Sequence, residues 1–284
     1  MGNCVLSAFA DEYSKDLREQ LAALRRFGID FLEVRHVNGK NVSLLSREEV
    51  RGLKETLDGF GIRASAIGSP LGKIALDGDL DRHFETARQV FETANLLGTP
   101  FVRVFSFYPP EGRSIADLRD EVFAAVLRMV LLAREFGVTL CHENEARIYG
   151  DVPARCKELL DAFGGEIRCV FDMGNFVLEG VDPLPAYRLL KDHVAYFHIK
   201  DALAEGAIVP AGKGDAKIRE IITEHAATAR GDFFVSLEPH LQTFAGLNAL
   251  VGREFTNPYR YPDEETAFTD AVAKFRTLME GSPV

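Results

Sequence analysis

The chain alternates between two textures. Short apolar runs rich in β-branched and aromatic residues recur at 4–10, 31–37, 62–68, 101–107, 138–144, 167–173, 194–200 and 233–239. Each has the length and composition of a buried strand. Between them apolar residues repeat at helical spacing. Leu17, Leu21, Leu24 and Phe27 form one such stripe. Val122, Val126, Val130 and Ala133 form another, with Leu127 and Leu131 beside it. Helix punctuation agrees. Ser46 with Glu49 reads as a capping box, Ser114 with Asp117 as a weaker one, and Pro183 suits a first helical turn. Gly28, Gly61, Gly98 and Gly137 each follow a helical stretch, where a residue with positive φ ends it. The phrases FGID, FGIR, LGTP and FGVT therefore read as one repeated joint from helix to next strand. Eight units in 284 residues give about 35 residues each, the size of a strand–helix pair with its loops. No linker or composition shift divides the chain. The expectation is one α/β domain over residues 1–284, a (β/α)8 TIM barrel.

Charge narrows the partners. There are 43 acidic and 33 basic side chains, a net charge of −10. Phosphate-bearing surfaces would be repelled, so neither nucleic acid nor an anionic membrane is an expected partner. No apolar run approaches the roughly 18 residues of a membrane span. The opening MGNCVLSAFADE lacks the basic and apolar regions of a secretory signal. Its Met-Gly start fails as a myristoylation site, because Leu6 holds the sixth position and the hydroxyl falls at Ser7. A cytoplasmic location is expected. Cys4, Cys141, Cys156 and Cys169 are solitary and read as small buried hydrophobes of a reducing compartment. Cys141, beside polar residues, is the one candidate nucleophile.

A barrel places its functional groups at the C-terminal ends of its strands. Strand five ends in His142-Glu143-Asn144-Glu145, strand six in Asp172-Met173-Gly174-Asn175, strand seven in His198-Ile199-Lys200-Asp201, and strand eight in Glu238-Pro239-His240. Four successive strands thus bring an acid or imidazole to one mouth. Three converging carboxylates would repel one another and take up protons unless a cation sits among them. Glu143, Asp172, His198 and Glu238 suit one borderline-hard divalent ion such as Mn2+, Co2+, Zn2+ or Mg2+.

Taken together, FLEVRHVNGKN (31–41), GSPLGKI (68–74), VRVFSFY (102–108), HENE (142–145), FDMGNF (171–176), HIKDA (198–202), VPAGKGD (209–215) and SLEPHL (236–241) resemble the sugar phosphate isomerase/epimerase family. These are xylose isomerase-like barrels related to the apurinic endonucleases. The resemblance covers essentially the whole chain. It implies metal ligation by Glu143, Asp172, His198 and Glu238. It also implies proton exchange by Glu143 and Glu238, the two glutamates that do this in the family's ketose 3-epimerases. The chemistry is coherent, since a metal on the carbonyl and a neighbouring hydroxyl stabilises the enediolate left when a proton α to the carbonyl departs.

Other residues carry smaller signals. Arg35 and His36, with Asn38 in the following loop, are candidates for sugar hydroxyls or a carboxylate, Lys200 for substrate oxygen or phosphate, Lys73 and His240 for other substrate contacts, and Phe105, Phe107 and Tyr108 for an apolar wall. Asn175 stands where several relatives carry a histidine that touches substrate or a second metal. Glu33 and Arg103 are expected to support the ligands from behind, since a buried guanidinium must find carboxylates. His142 points away from Glu143 by strand alternation and reads as structural. The loop AGKGD (211–215) lacks the spacing of a phosphate loop and reads as a flexible connection capped by Asp215. Long loops around 70–80 and 244–262, with Phe244, Phe255, Tyr259 and Tyr261, are expected to cover the site or to meet a second subunit in a homo-oligomer.

Four functions compete. A metal-dependent isomerase or epimerase acting on a small carbohydrate, free or phosphorylated, leads. A lyase or dehydratase acting on a keto-inositol or 3-keto-glycoside would use the same metal site. A DNA-repair endonuclease would need more metals and a basic groove. A non-catalytic sugar-binding module would not need an intact ligand quartet.

Overall fold

The structure, a computed structural model, describes residues 2–242 and 258–282. Eight strands form the centre: β1 (Cys4–Ala8), β2 (Phe31–Val34), β3 (Arg63–Ile67), β4 (Phe101–Val104), β5 (Thr139–Glu143), β6 (Ile167–Asp172), β7 (Val194–Ile199) and β8 (Phe233–Leu237). All ladders are parallel and join each strand to its sequence neighbour from β2 round to β8, and β8 then pairs with β1. β1 and β2 stand side by side and complete a nearly closed ring. The chain is therefore a (β/α)8 TIM barrel.

Outer helices follow the strands, among them Leu17–Arg26, Arg47–Phe60, Leu80–Leu97, Arg119–Phe136, Pro183–Leu190 and Glu264–Met279. Their apolar stripes face the sheet, with Leu17, Leu21 and Leu24 buried from the first and Val122, Val126 and Val130 from the fourth. Leu127 and Leu131 instead point outward, 44 % and 48 % exposed. They lie on the far side of the helix from the Val122–Val126–Val130 stripe. No helix among the described residues is long and apolar enough to cross a membrane.

Local signals play out unevenly. Ser46 and Glu49 form both bonds of a capping box. Pro183 opens its helix. Gly28, Gly61, Gly98 and Gly137 take φ between 63° and 74° at the helix-to-strand joints. Ser114 makes no capping bond, because a 3-10 turn at Ile115–Leu118 intervenes before the helix. Asp215 does not cap a helix either. Its carboxylate accepts from the Ala204 amide, and the next helix begins at Ile218. Cys141 is fully buried with Ala66, Val170 and Tyr196 inside the barrel, and burial pushes its thiol well up, which removes it as a nucleophile.

Two glycines separate conformational strain from steric strain. Gly137 has φ +66° and nothing near its missing Cβ. Gly137→Ala is expected to cost about 1 kcal/mol, the price of a left-handed alanine. At Gly72, φ +89°, a Cβ would lie 2.0 Å from the Phe105 carbonyl oxygen. Gly72→Ala is expected to cost at least about 3 kcal/mol, because backbone must move. Urea unfolding of both variants checks the difference.

Candidate metal centre and active site

Strand periodicity builds the site. Cys141, Val170 and Tyr196 lie in one apolar cluster inside the barrel. Two residues further along the same strands, on the same face, stand Glu143, Asp172 and His198. Glu238 joins them just beyond β8. All four are buried, and one ligand atom from each lies within 4.8 Å of the others.

Each carboxylate has one oxygen tied outward and one turned inward. Glu143 Oε2 accepts from Arg103 Nη1 at 3.0 Å, while Oε1 lies 2.9 Å from His198 Nδ1. Asp172 Oδ1 accepts from the Asn175 amide at 2.8 Å, while Oδ2 accepts from Lys200 Nζ at 2.9 Å. Glu238 Oε1 accepts from Arg35 Nη1 at 2.8 Å, while Oε2 faces Lys200 Nζ at 3.2 Å and His198 Nδ1 at 3.4 Å. His198 Nε2 meets Glu33 at 3.1 Å, and Glu33 also accepts from the Tyr196 hydroxyl at 2.9 Å. The imidazole is thereby oriented by a carboxylate behind it, the arrangement found behind metal-bound histidines. Three anchored carboxylates and one anchored imidazole fit a divalent ion of the hard-to-borderline group.

The balance of charge sets the protonation states. Burial pushes the Asp172 carboxyl up, and Glu143 and Glu238 add to this against the pull of Lys200, leaving it at about 6. Burial also raises Glu143, but His198 and Arg103 outweigh it and hold the carboxyl at about 2. Glu238 is likewise held well below the usual range by Lys200, His240 and His198 against the cost of burial. Burial would lower His198, yet Glu33 and Glu143 hold it well above an ordinary imidazole. One cation short of comfort, the cluster takes a proton.

A cavity of about 870 Å³ opens above this floor. Among the described residues it is lined by Glu238 of the quartet, and by Arg35, His36, Lys73, Arg103, Lys200 and His240. Glu143, Asp172 and His198 lie beneath it. Several expected substrate contacts are not among the lining residues. Phe105 is buried, with Lys73 Nζ 4.3 Å above its ring. Tyr108 is drawn aside by a bridge between its backbone and the 74–76 segment, just after Phe107 turns the chain at φ +64°. The apolar wall expected of Phe105, Phe107 and Tyr108 is therefore not formed. Asn175 is buried, its side-chain amide donating to the Asn144 carbonyl at 2.9 Å and its Oδ1 accepting from Lys200 Nζ at 3.0 Å. Lys200, expected to bind substrate oxygen, is engaged by Asp172, Asn175 and Glu238. Phe244 and Phe255 lie outside the described residues, and Tyr261 donates to Asp270 at 2.7 Å.

Several functional neighbours escape a motif reading. Asp11 accepts from Arg35 Nε at 2.8 Å and lies 2.8 Å from His36 Nδ1. Glu12 lies 3.2 Å from Arg35 Nη2 and 2.8 Å from His240 Nδ1. The Asn144 side chain bonds both the amide and the carbonyl of Asp172, fixing the end of β6. Asp201 accepts from the amides of Ala202, Gly212, Gly214 and Ala216, which organises the loop expected to be flexible. His142 is structural, 2.9 Å from Ser106 Oγ, and burial pushes it down to about 4.

The fold and site together define a TIM barrel with an acid–imidazole cluster at the mouth where such barrels carry their chemistry. A sequence model of the xylose isomerase-like TIM barrel family matches residues 21–248. The chain belongs to that family. Similar solved structures include the probable 3-DHS dehydratase of petrobactin synthesis from Bacillus anthracis (18 % identity, TM-score 0.72, 99 % of this chain and 100 % of that one). An L-ribulose 3-epimerase shares 20 % identity at TM-score 0.72, over 99 % of this chain and 96 % of the other. A xylose isomerase-like barrel protein from Mycobacterium smegmatis, solved with magnesium, shares 16 % identity at TM-score 0.68, over 98 % and 97 %. A search of curated proteins returned no significant match.

Two outcomes test the centre. Saturating Mn2+ at about 100 times its Kd should stabilise the protein by about 2.7 kcal/mol, and His198→Ala should abolish the gain in thermal unfolding. The ion needs Asp172 as carboxylate and His198 unprotonated, whereas Asp172 holds its proton up to about pH 6. Metal affinity should therefore rise with pH, by about tenfold or more per unit below 6. Calorimetric titration between pH 5 and 8 measures the slope.

Proposed function

We propose that the protein is a metal-dependent carbohydrate isomerase or epimerase that removes a proton α to a carbonyl. The observation that carries this reading is a buried carboxylate–imidazole quartet flooring a polar cavity, with Glu238 alone of the four reaching the cavity wall among the described residues. A divalent ion held by Glu143, Asp172, His198 and Glu238 would polarise the substrate carbonyl and favour the enediolate. Glu238 takes the proton. Arg35 and Lys200 hold its carboxylate in place, so little reorganisation is needed when the proton moves. Its depressed pKa makes it a weak base toward an unaided sugar, which is why the reaction needs an electrophile on the carbonyl. In epimerisation Glu143, fixed by Arg103, would have to enter protonated and give its own proton to the other face while Glu238 keeps the one it took; in aldose–ketose isomerisation Glu238 redelivers its proton to the adjacent carbon. Elimination of a β-leaving group from the same intermediate is the second reading, supported by the shared fold of the dehydratase.

Glu238→Gln keeps the size of the side chain and removes the base. It should lower exchange of the substrate α-proton with D2O by about 10²- to 10⁴-fold while metal still binds. Product NMR in D2O across ketoses and keto-glycosides reads the exchange and separates epimerisation from elimination. Undiminished exchange in the variant would remove Glu238 from this role.

A further inference from the structure

Among the described residues, every deep cation of the cavity is already taken. Arg35 spends its guanidinium on Asp11, Glu12 and Glu238. Arg103 is held by Glu143 at 3.0 Å. Lys73 reaches across the mouth from the loop after β3 and is paired with Glu145, beyond β5, at 3.0 Å. Lys200 is shared between Asp172 and Glu238. Among the described lining residues Lys15 alone lacks a carboxylate partner, and it stands exposed at the rim. The described lining carries eight carboxylates against five lysines and arginines. A substrate phosphate or carboxylate entering here would find acceptors where it needs donors. It would also have to break the Lys73–Glu145 pair to reach that cation, leaving Glu145 unpaired in a partly buried site. Sugar hydroxyls have the opposite need. They donate, and Asp11, Glu12 and Glu145 offer carboxylate oxygens around the cavity.

We infer that the site takes an uncharged polyhydroxylated carbonyl compound and rejects its phosphate ester and its carboxylic acid, with the Lys73–Glu145 pair acting as the charge filter. This rests on the isomerase reading above and narrows its substrate class. The pair also closes over the Phe105 ring, so its geometry is held from below.

Two measurements decide it separately from that reading. The first is D2O exchange by the Mn2+-loaded enzyme on matched free ketoses, their terminal phosphates and the corresponding keto acids. The free sugar is expected to lead in kcat/KM by at least about 100-fold. An ester or acid turned over equally well or better overturns the inference. Exchange with none of them defeats the isomerase reading instead, and the second measurement then carries the charge question. In thermal unfolding of the full chain without added metal, millimolar inorganic phosphate should leave the wild type unshifted. It should raise the melting temperature of Glu145→Gln, in which Lys73 is released. Stabilisation of the wild type, or none in the variant, overturns the filter.

Discussion

The upper half of this barrel is governed by the cost of burying negative charge. Glu33, Glu143, Asp172 and Glu238 are each at most 3 % exposed. No such group tolerates burial without a donor or cation beside it. The surrounding structure reads as the answer to that demand. Arg103 inside β4, Tyr196 and His198 on β7, Lys200 beyond it and Arg35 after β2 are each placed by one of these acids. The network crosses from β2 through β4, β5, β6 and β7 to β8, so the charges that define the site also fix the register of its walls. Below it the barrel interior turns apolar, where Ala66, Cys141 and Val170 pack beside Tyr196, whose hydroxyl reaches Glu33.

The fold was legible because its signals repeat. Eight apolar runs and four helix-ending glycines report one local rule each, and a local rule survives in the sequence alone. The four quartet residues were legible for a related reason, since strand ends in this architecture share one mouth. Asp11, Glu12 and Glu145 were not. They sit in loops, where no periodicity states which way a side chain points, and their partners lie 23 to 228 residues away. The same gap explains Tyr108, whose place depends on the φ of Phe107, and Asp215, whose partner is a backbone amide of its own loop. Asp201 shows the opposite case. Its motif was visible, but the loop it organises comes back to it only in three dimensions.

The family relation and the site inform one another in unequal measure. Likeness at 13–20 % identity extends to epimerases and to a dehydratase, so it establishes the barrel and leaves the reaction to the cavity. The structure above the quartet carries the detail of the site. Asn175 contributes an amide that bridges Asn144 and Lys200, and Arg35 is committed to three carboxylates. The wall is thus made of closed ion pairs, and its selectivity follows from which pairs a ligand would have to open.

The cavity joins the two ends of the chain. Tyr13, from the loop after β1, donates to Glu265 at 2.7 Å across 252 residues, and residues 263–268 complete the same wall. During synthesis the strands bearing Asp172 and His198 emerge long before that wall exists. Enclosure of a ligand therefore waits on a long-range closure between the loop after β1 and the helix Glu264–Met279, the kind of contact that forms slowly.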